Sequence, residues 1–207
     1  KLSTVPLRFD PGTNWCYSLA TEVCGALVEI ISGQPFSEFL GERLFEPLDM
    51  SDTSFTISDE KVPRLAANYE RDQDKNLVLI DDPVESIYAD TRRLQSGGGG
   101  LLSTTADYAK FCEMLLGGGK YNGCRIRGDR TLKMMCQNHL PMNADLASVA
   151  MGSFSETAYE GVGFGLGFAS TLSEVKAHIL GEGDFYWGGM ASTIFWVDPR
   201  ESMFCVF

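Results

Sequence analysis

The 207 residues are 44% hydrophobic and 22% charged, which is the balance of an ordinary globular protein. With 17 Lys and Arg against 28 Asp and Glu, the net charge of −11 repels phosphate backbones and argues against a nucleic-acid partner. No apolar run approaches the roughly 18 residues that a membrane span needs, so none is predicted. Nor does a basic start followed by an apolar stretch indicate a signal peptide.

The first half of the chain predicts short helices and loops. Apolar residues at helical spacing predict a helix with one apolar face over residues 19–31, and Pro35 opens a second helix. The stretch 49–93 is polar and rich in turn residues. It predicts surface loops with two short strands, at 66–69 and 76–80.

The second half of the chain predicts helices followed by strands. Thr104 and Asp107 form a capping box at the start of a helix, and Asp129 is expected to cap a shorter one that closes at Pro141. Helices first and meandering strands last predict an α+β fold with an antiparallel sheet. Aromatic and β-branched segments predict these strands at 163–171, 185–187, 193–197 and 203–207.

The cysteines, histidines and glycines exclude several kinds of site. The six cysteines form no CxxC pair and there are only two histidines, so a zinc site is not predicted. We expect the cysteines to be reduced thiols in the core, which favours a cytoplasmic compartment. Without a GxSxG motif, His139 and His178 are predicted as cap or surface residues and not as catalytic bases. The glycine runs 97–100 and 117–119 do not fit a phosphate-binding loop and predict turns and close packing.

Tyr17 is the most informative single residue. The segment PGTNWCYSL at 11–19 places it at the entry to the first predicted helix, where free N–H groups favour an anion. A phenol serves as a base only where a cation or such a field stabilises its anion. From position alone, the simpler interpretation is a half-buried tyrosine whose hydroxyl bonds a backbone carbonyl.

A series of motifs spans nearly the whole chain. In this order they resemble the serine β-lactamase-like superfamily of penicillin-recognising enzymes, and most closely its family VIII carboxylesterases. The motifs are PLRFDPGT at 6–13, YS at 17–18, GALVEIISGQPFSEFLGERLFEPLDM at 25–50, SGGGGLLST at 96–104, NHLP at 138–141, GFGLGF at 163–168 and WGGMAST at 187–193.

This resemblance implies a β-lactamase/transpeptidase-like fold, which is α+β of the α/β sandwich type with an antiparallel sheet and a helical region. Residues 1–155 would form a mainly helical region with the tyrosine motif. Residues 156–207 would supply the C-terminal strands of the α/β domain, including the WGG motif. The implied activity is that of a serine carboxylesterase that cleaves short-chain esters through an acyl-serine intermediate. No cofactor and no metal are implied.

The resemblance also implies roles for particular residues. Tyr17 would be the proton shuttle of the family's catalytic tyrosine motif, although Leu19 stands where such β-lactamases carry asparagine. Trp187, Gly188 and Gly189 would replace the KTG motif that borders the substrate, and Met190 would offer an oxyanion-hole N–H. Because the KTG lysine becomes a tryptophan, neutral esters are expected to be better substrates than penicillins.

The family's catalytic serine and lysine form an SxxK motif far upstream of the tyrosine. One such string here, Ser58 to Lys61, follows the tyrosine in an acidic turn and is expected to be a coincidence. We therefore expect a fragment, truncated at both ends and inactive alone. The partner would be a small-molecule ester or amide. A β-lactamase, a D-amino-acid peptidase, an acyltransferase or a non-catalytic ligand-binding relative remain alternatives, and the oligomeric state stays open.

Overall fold

The computed structural model describes residues 4–151, 160–178 and 181–207. A π-helical turn, Gly41–Phe45, follows the second helix. The helices are α1 (Ala20–Ser32), α2 (Phe36–Leu40), α3 (Thr105–Leu116), α4 (Asp129–Cys136), α5 (Leu146–Val149) and α6 (Glu174–Ala177), and the strands are β1 (Asn68–Arg71), β2 (Leu77–Asp81), β3 (Lys120–Tyr121), β4 (Cys124–Arg125), β5 (Val162–Phe164), β6 (Ala169–Thr171), β7 (Phe185–Gly188), β8 (Ile194–Asp198) and β9 (Met203–Val206).

The chain divides into two compact units, which are described separately. The first comprises Lys1–Ser18, Phe111–Gly188 and Ile194–Phe207, and the second comprises Leu19–Lys110 and Gly189–Thr193. The predicted boundary between residues 155 and 156 lies outside the described residues. It stays a prediction.

The first unit is built on a five-stranded antiparallel sheet in the order β5-β6-β7-β8-β9. Its core combines buried residues of the sheet with Leu140 and Leu146 from the preceding helical segment. The β8–β9 turn forms because the Asp198 carboxylate accepts hydrogen bonds from the N–H groups of Arg200 and Glu201, at 2.8 and 2.9 Å. The predicted α+β fold with a meandering antiparallel sheet is confirmed.

One predicted strand of this sheet was wrong. The segment 163–171 is not a single strand but a hairpin, in which Phe164 of β5 pairs with Ala169 of β6. Gly167 in the connection adopts a φ of 104°, a conformation that a glycine reaches without steric cost. The glycines therefore break the alternating pattern that the aromatic residues suggest.

The second unit packs α1 tightly against the glycine run at 97–100. A Cβ atom on Gly97 would overlap the Thr21 carbonyl oxygen of α1, and one on Gly25 would come within 3.1 Å of the Gly97 Cα. The Glu22 carboxylate accepts the Gly97 N–H at 3.1 Å and also bonds the Ser96 hydroxyl. Close packing, as predicted, is what these glycines provide.

Of the two helix caps predicted from the sequence, the structure shows Thr104 at the start of α3 but not Asp129 at the start of α4. The Thr104 hydroxyl accepts the Asp107 N–H at 3.1 Å, which confirms the Thr104 half of the predicted capping box of α3. The Asp107 carboxylate accepts the Asp52 N–H and the Thr53 hydroxyl, at 2.8 and 3.0 Å, so the reciprocal half was wrong. The prediction for Asp129 was wrong: Gly128 occupies the N-cap of α4, and Asp129 lies in its first turn, where it pairs with Lys133 at 2.9 Å. A carboxylate in that position is still favourable because it faces the positive end of the helix dipole.

The prediction that the cysteines are reduced core thiols is confirmed only in part. All six are free thiols, but Cys112 alone is classed as buried, while Cys24 and Cys205 are exposed. Burial raises the pKa of the Cys112 thiol, and that of the half-buried Cys136 thiol, to about 12, so both stay protonated near neutral pH. Among the helices described, even the 13-residue α1 falls short of the length and apolar character that crossing a bilayer requires.

Candidate active site

Four aromatic side chains of the first unit form a closed ring of contacts, which we call the aromatic quartet: Trp15, Tyr17, Phe164 and Trp187. Tyr17 stacks on Trp187 with ring centroids 6.3 Å apart and planes at 16°. Phe164 meets Trp187 edge-on at 5.4 Å and Trp15 at 5.3 Å, and Trp15 lies 6.4 Å from Tyr17. Edge-on and offset contacts at these distances are favourable for aromatic rings.

The segment that carries Tyr17 is anchored through its neighbour Trp15. The Trp15 N–H donates to the Val149 carbonyl at 3.1 Å, and its carbonyl accepts the Met151 N–H at 2.8 Å. This parallel bridge ties the segment to the end of α5. Tyr17 itself is 52% exposed.

Phe164 is held in place by the NHLP segment. The Asn138 side-chain oxygen accepts the Phe164 N–H at 3.0 Å, and the Phe164 carbonyl accepts the His139 N–H at 2.8 Å. A Cβ atom on Gly163 would lie 2.5 Å from the Asn138 side chain, and one on Gly165 would overlap the Met135 carbonyl oxygen. Glycine is therefore required on both sides of Phe164.

Trp187 and Gly188 lie at the end of β7, where Gly188 pairs with Ile194 of β8. In the second unit, the following turn is closed by a hydrogen bond from the Gly189 N–H to the Thr193 carbonyl at 2.7 Å. Met190 within this turn is 96% exposed, and among the described residues no backbone acceptor is bonded to its N–H. This N–H is thus available to an external oxygen.

Other residues considered for catalysis have structural partners. The His139 Nε2–H donates to the Met134 carbonyl of α4 at 2.7 Å, in agreement with the predicted cap, and His178 occupies the left-handed position that ends α6. The Lys61 ammonium pairs with the Asp52 carboxylate at 2.9 Å and donates to the Ser51 carbonyl at 2.7 Å. In the part of the chain that the structure describes, no group of three or more His, Cys, Asp or Glu side chains is placed to bind a metal.

A cavity of about 670 Å³ opens in the second unit beside the π-helical turn. Buried Phe45, Met50 and Phe55 contribute to its lining, together with hydroxyl side chains and the Glu46 carboxylate. None of the residues predicted for the site lines it.

The structure brings together some, but not all, of the predicted residues. Tyr17 and Trp187, which lie 170 positions apart in the sequence, are in ring contact, and Gly188 directly follows Trp187. Sequence reasoning missed Trp15 and Phe164 as their neighbours. Both occur within the motifs PGTNW and GFG, and the paired glycines around Phe164 were the available signal.

Comparison with known proteins identifies the family. The beta-lactamase family model matches residues 1–207. The chain belongs to the beta-lactamase family. Its relatives include hydrolases, esterases and acyltransferases that share this fold. The predicted superfamily and its β-lactamase/transpeptidase-like fold are therefore confirmed.

Two curated relatives match along the whole chain. An uncharacterised protein of Mycobacterium tuberculosis is 30% identical over 210 residues, which cover 100% of this chain and 51% of that protein. The lovastatin esterase of Penicillium rubens is 29% identical over 216 residues, covering 99% and 52%. The chain thus spans about half the length of the curated relatives that it matches over its whole length.

Solved structures show the same fold. EstCE1, described as a hydrolase with promiscuous acyltransferase activity, superposes with a TM-score of 0.79 at 28% identity, covering 99% of this chain and 53% of its own. Simvastatin synthase from Aspergillus terreus superposes with a TM-score of 0.80 at 22% identity, covering 98% and 51%. At that identity the second match supports the fold alone.

Proposed function

We propose that the full-length protein is a serine carboxylesterase of the beta-lactamase family, acting on small neutral esters. The observation that carries the proposal is the stacking of Tyr17 on Trp187, with the Tyr17 ring half exposed. These are the two side chains that the motif resemblance assigns to proton transfer and to the substrate wall.

The proposed reaction proceeds through an acyl-enzyme. A serine supplied by a part of the full-length protein outside these 207 residues attacks the ester carbonyl and passes its proton to the Tyr17 oxygen. Tyr17 in turn hands its own hydroxyl proton to the neutral lysine of the SxxK motif, which is also proposed to lie outside these residues. The C–O bond then breaks, and Tyr17 returns the proton to the departing alcohol. Water next attacks the acyl-serine and releases the acid. The Met190 N–H would stabilise the negative charge on the carbonyl oxygen in both steps.

The quartet favours neutral substrates because its four side chains carry no charge. Trp187 supplies an apolar wall at the motif position where penicillin-recognising relatives carry a lysine. An anionic β-lactam loses the attraction of that ammonium, whereas the alkyl part of an ester gains apolar contact. Short-chain neutral esters are therefore proposed as substrates in preference to penicillins.

The proposal is tested on the full-length protein with p-nitrophenyl butyrate and with the β-lactam nitrocefin. We expect butyrate hydrolysis with little nitrocefin turnover. Tyr17→Phe should lower kcat for the ester by roughly 10²- to 10⁴-fold, because general acid–base catalysis contributes about that much. Tyr69→Phe, at an exposed tyrosine of β1, is the matched control and should leave kcat unchanged. Faster nitrocefin turnover, or equal activity of Tyr17→Phe and the control, would contradict the proposal.

Acyl transfer is a second candidate because it uses the same acyl-serine with an alcohol in place of water. The similarity to EstCE1, whose description names both activities, favours including it. Adding an acceptor alcohol to the assay separates the two reactions. Transfer appears as a new ester product at the expense of free butyrate.

A further inference from the structure

We infer that Phe164, fixed by Asn138, is a positioning residue that sets the orientation of Tyr17 and Trp187. The role in catalysis rests on the proposed function, whereas the positioning itself is a property of the first unit. It gives the NHLP and GFG motifs, which contribute no reacting group, a defined part in the site.

The Asn138 side chain is rigidly held. Its side-chain oxygen accepts the N–H groups of Leu140 and Phe164, at 3.1 and 3.0 Å. Its side-chain nitrogen donates to the Asn143 side-chain oxygen at 3.0 Å and to the Ala144 carbonyl at 2.9 Å. All four hydrogen-bonding positions of the amide are used, so any rotation of the side chain breaks several bonds at once.

The Asn138 side chain helps to fix the backbone of Phe164 at the edge of β5 that faces away from β6. The Phe164 N–H is bonded to Asn138 and its carbonyl to the His139 N–H, while β6 pairs with the other edge of β5. The glycines on either side of Phe164 allow this close approach. The position of the Phe164 ring is thereby set by the sheet on one side and by the NHLP segment on the other.

The Phe164 ring contacts both aromatic side chains that lie against Tyr17, namely Trp15 and Trp187. It lies 5.3 Å from Trp15 and 5.4 Å from Trp187, at interplanar angles of 58° and 81°. Trp15 fixes the Tyr17 segment, and Trp187 stacks on the Tyr17 ring. Removing the Phe164 ring therefore takes one ring contact from each of these two neighbours of Tyr17, while the backbone bridge of Trp15 stays. A shift of about 1 Å in a reacting group is enough to cost on the order of 10²-fold in rate.

The matched control comes from the same motif. Phe168 is buried and contacts Phe185 and Phe195 of the sheet, at 5.2 and 6.0 Å, and it has no part in the quartet. Phe164→Leu and Phe168→Leu therefore each remove one aromatic ring from the β5–β6 hairpin, but only the first removes a ring of the quartet. Phe164→Tyr keeps the ring and serves as the conservative variant.

Two measurements on the full-length protein test the inference. The first is ester hydrolysis, in which Phe164→Leu should lower kcat by about ten- to a hundredfold with little change in KM. Phe164→Tyr should restore kcat, and Phe168→Leu should keep it within about twofold even where its melting temperature falls. The second is the ¹⁹F spectrum of protein labelled with 3-fluorotyrosine, with the Tyr17 resonance assigned by its loss in Tyr17→Phe. Phe164→Leu should shift this resonance, and Phe168→Leu should leave it in place.

The outcomes distinguish a failure of the positioning role from a failure of the proposed function. If both leucine variants lower kcat in proportion to their loss of stability, Phe164 is only a packing residue and the inference is overturned. It is also overturned if the Tyr17 resonance is unchanged in Phe164→Leu. If the unsubstituted full-length protein hydrolyses no ester, the proposed function fails, and the ¹⁹F measurement alone then decides whether Phe164 positions Tyr17.

Discussion

Asp184 is a fully buried carboxyl group in the first unit, directly before β7. The Trp196 indole N–H donates to one of its oxygens at 2.6 Å, while the other oxygen has no hydrogen-bond partner among the described residues. Burial raises the pKa of Asp184 from 3.8 to about 6. The nearby carboxylates of Asp198 and Glu174 raise this pKa further. The Trp196 hydrogen bond and the positive charge of Arg200 lower it, but they do not outweigh the burial. The folded chain therefore keeps the Asp184 proton up to a higher pH than an ordinary aspartate does.

This raised pKa predicts a pH-dependent contribution to stability. The folded chain holds the Asp184 proton up to a higher pH than the unfolded chain, so the contribution is complete below pH 4 and is lost as the pH rises to about 6. Asp184→Asn removes this titration. In urea unfolding between pH 4 and 7.5, the variant should gain stability relative to the parent chain as the pH rises, by up to about 3 kcal/mol. A difference that stays constant across this range would contradict the prediction.

The quartet shows how far single residues of the site could be predicted. Tyr17 and Trp187 were identified because they stand at recognisable motif positions. Trp15 and Phe164 were not, because no spacing rule connects positions 15, 164 and 187. Their contacts depend on the register of β5 with β6 and on the bridge from Trp15 to the end of α5. The roles of Gly189 and Met190 stay predictions.

At the scale of elements, sequence patterns predicted α1, α3 and the strands from residue 185 onward well, but they did not predict what covers each face. In α1, apolar residues recur at helical spacing as expected, yet only Gly25 is buried. Ile30 and Ile31 are 76% and 81% exposed. A helical pattern reveals that a face is apolar, whereas its burial depends on surfaces distant in the sequence.

The exposed face of α1 predicts self-association of the 207-residue chain, because contiguous apolar surface drives association in water. Ile31→Lys should reduce the apparent mass measured by light scattering at a given concentration. It should change the free energy of unfolding by only about 0.5 kcal/mol, the usual range for a surface substitution. Leu48→Lys, at a fully buried leucine of the same unit, is the contrasting control and should unfold the chain. A concentration-independent monomeric mass for the unsubstituted chain would count against the prediction.

At the scale of the whole molecule, the chain spans about half of the relatives that it matches along its length. In the SxxK string at 58–61, the Lys61 ammonium pairs with the Asp52 carboxylate and donates to the Ser51 carbonyl. An ammonium held in an ion pair has no lone pair with which to accept a proton from Ser58. The Ser58 hydroxyl is thus left without the base that nucleophilic attack requires.

We therefore expect that the purified 207-residue chain does not hydrolyse p-nitrophenyl butyrate above the rate of Ser58→Ala. The full-length protein should hydrolyse it, because the proposed serine and its base lie outside these residues while Tyr17 and Trp187 lie within them. Circular dichroism of the purified chain establishes that it is folded in the assay. Turnover by the chain that disappears in Ser58→Ala would show that Ser58 is a working nucleophile. Turnover that survives Ser58→Ala but disappears in Tyr17→Phe would place another nucleophile within the chain itself.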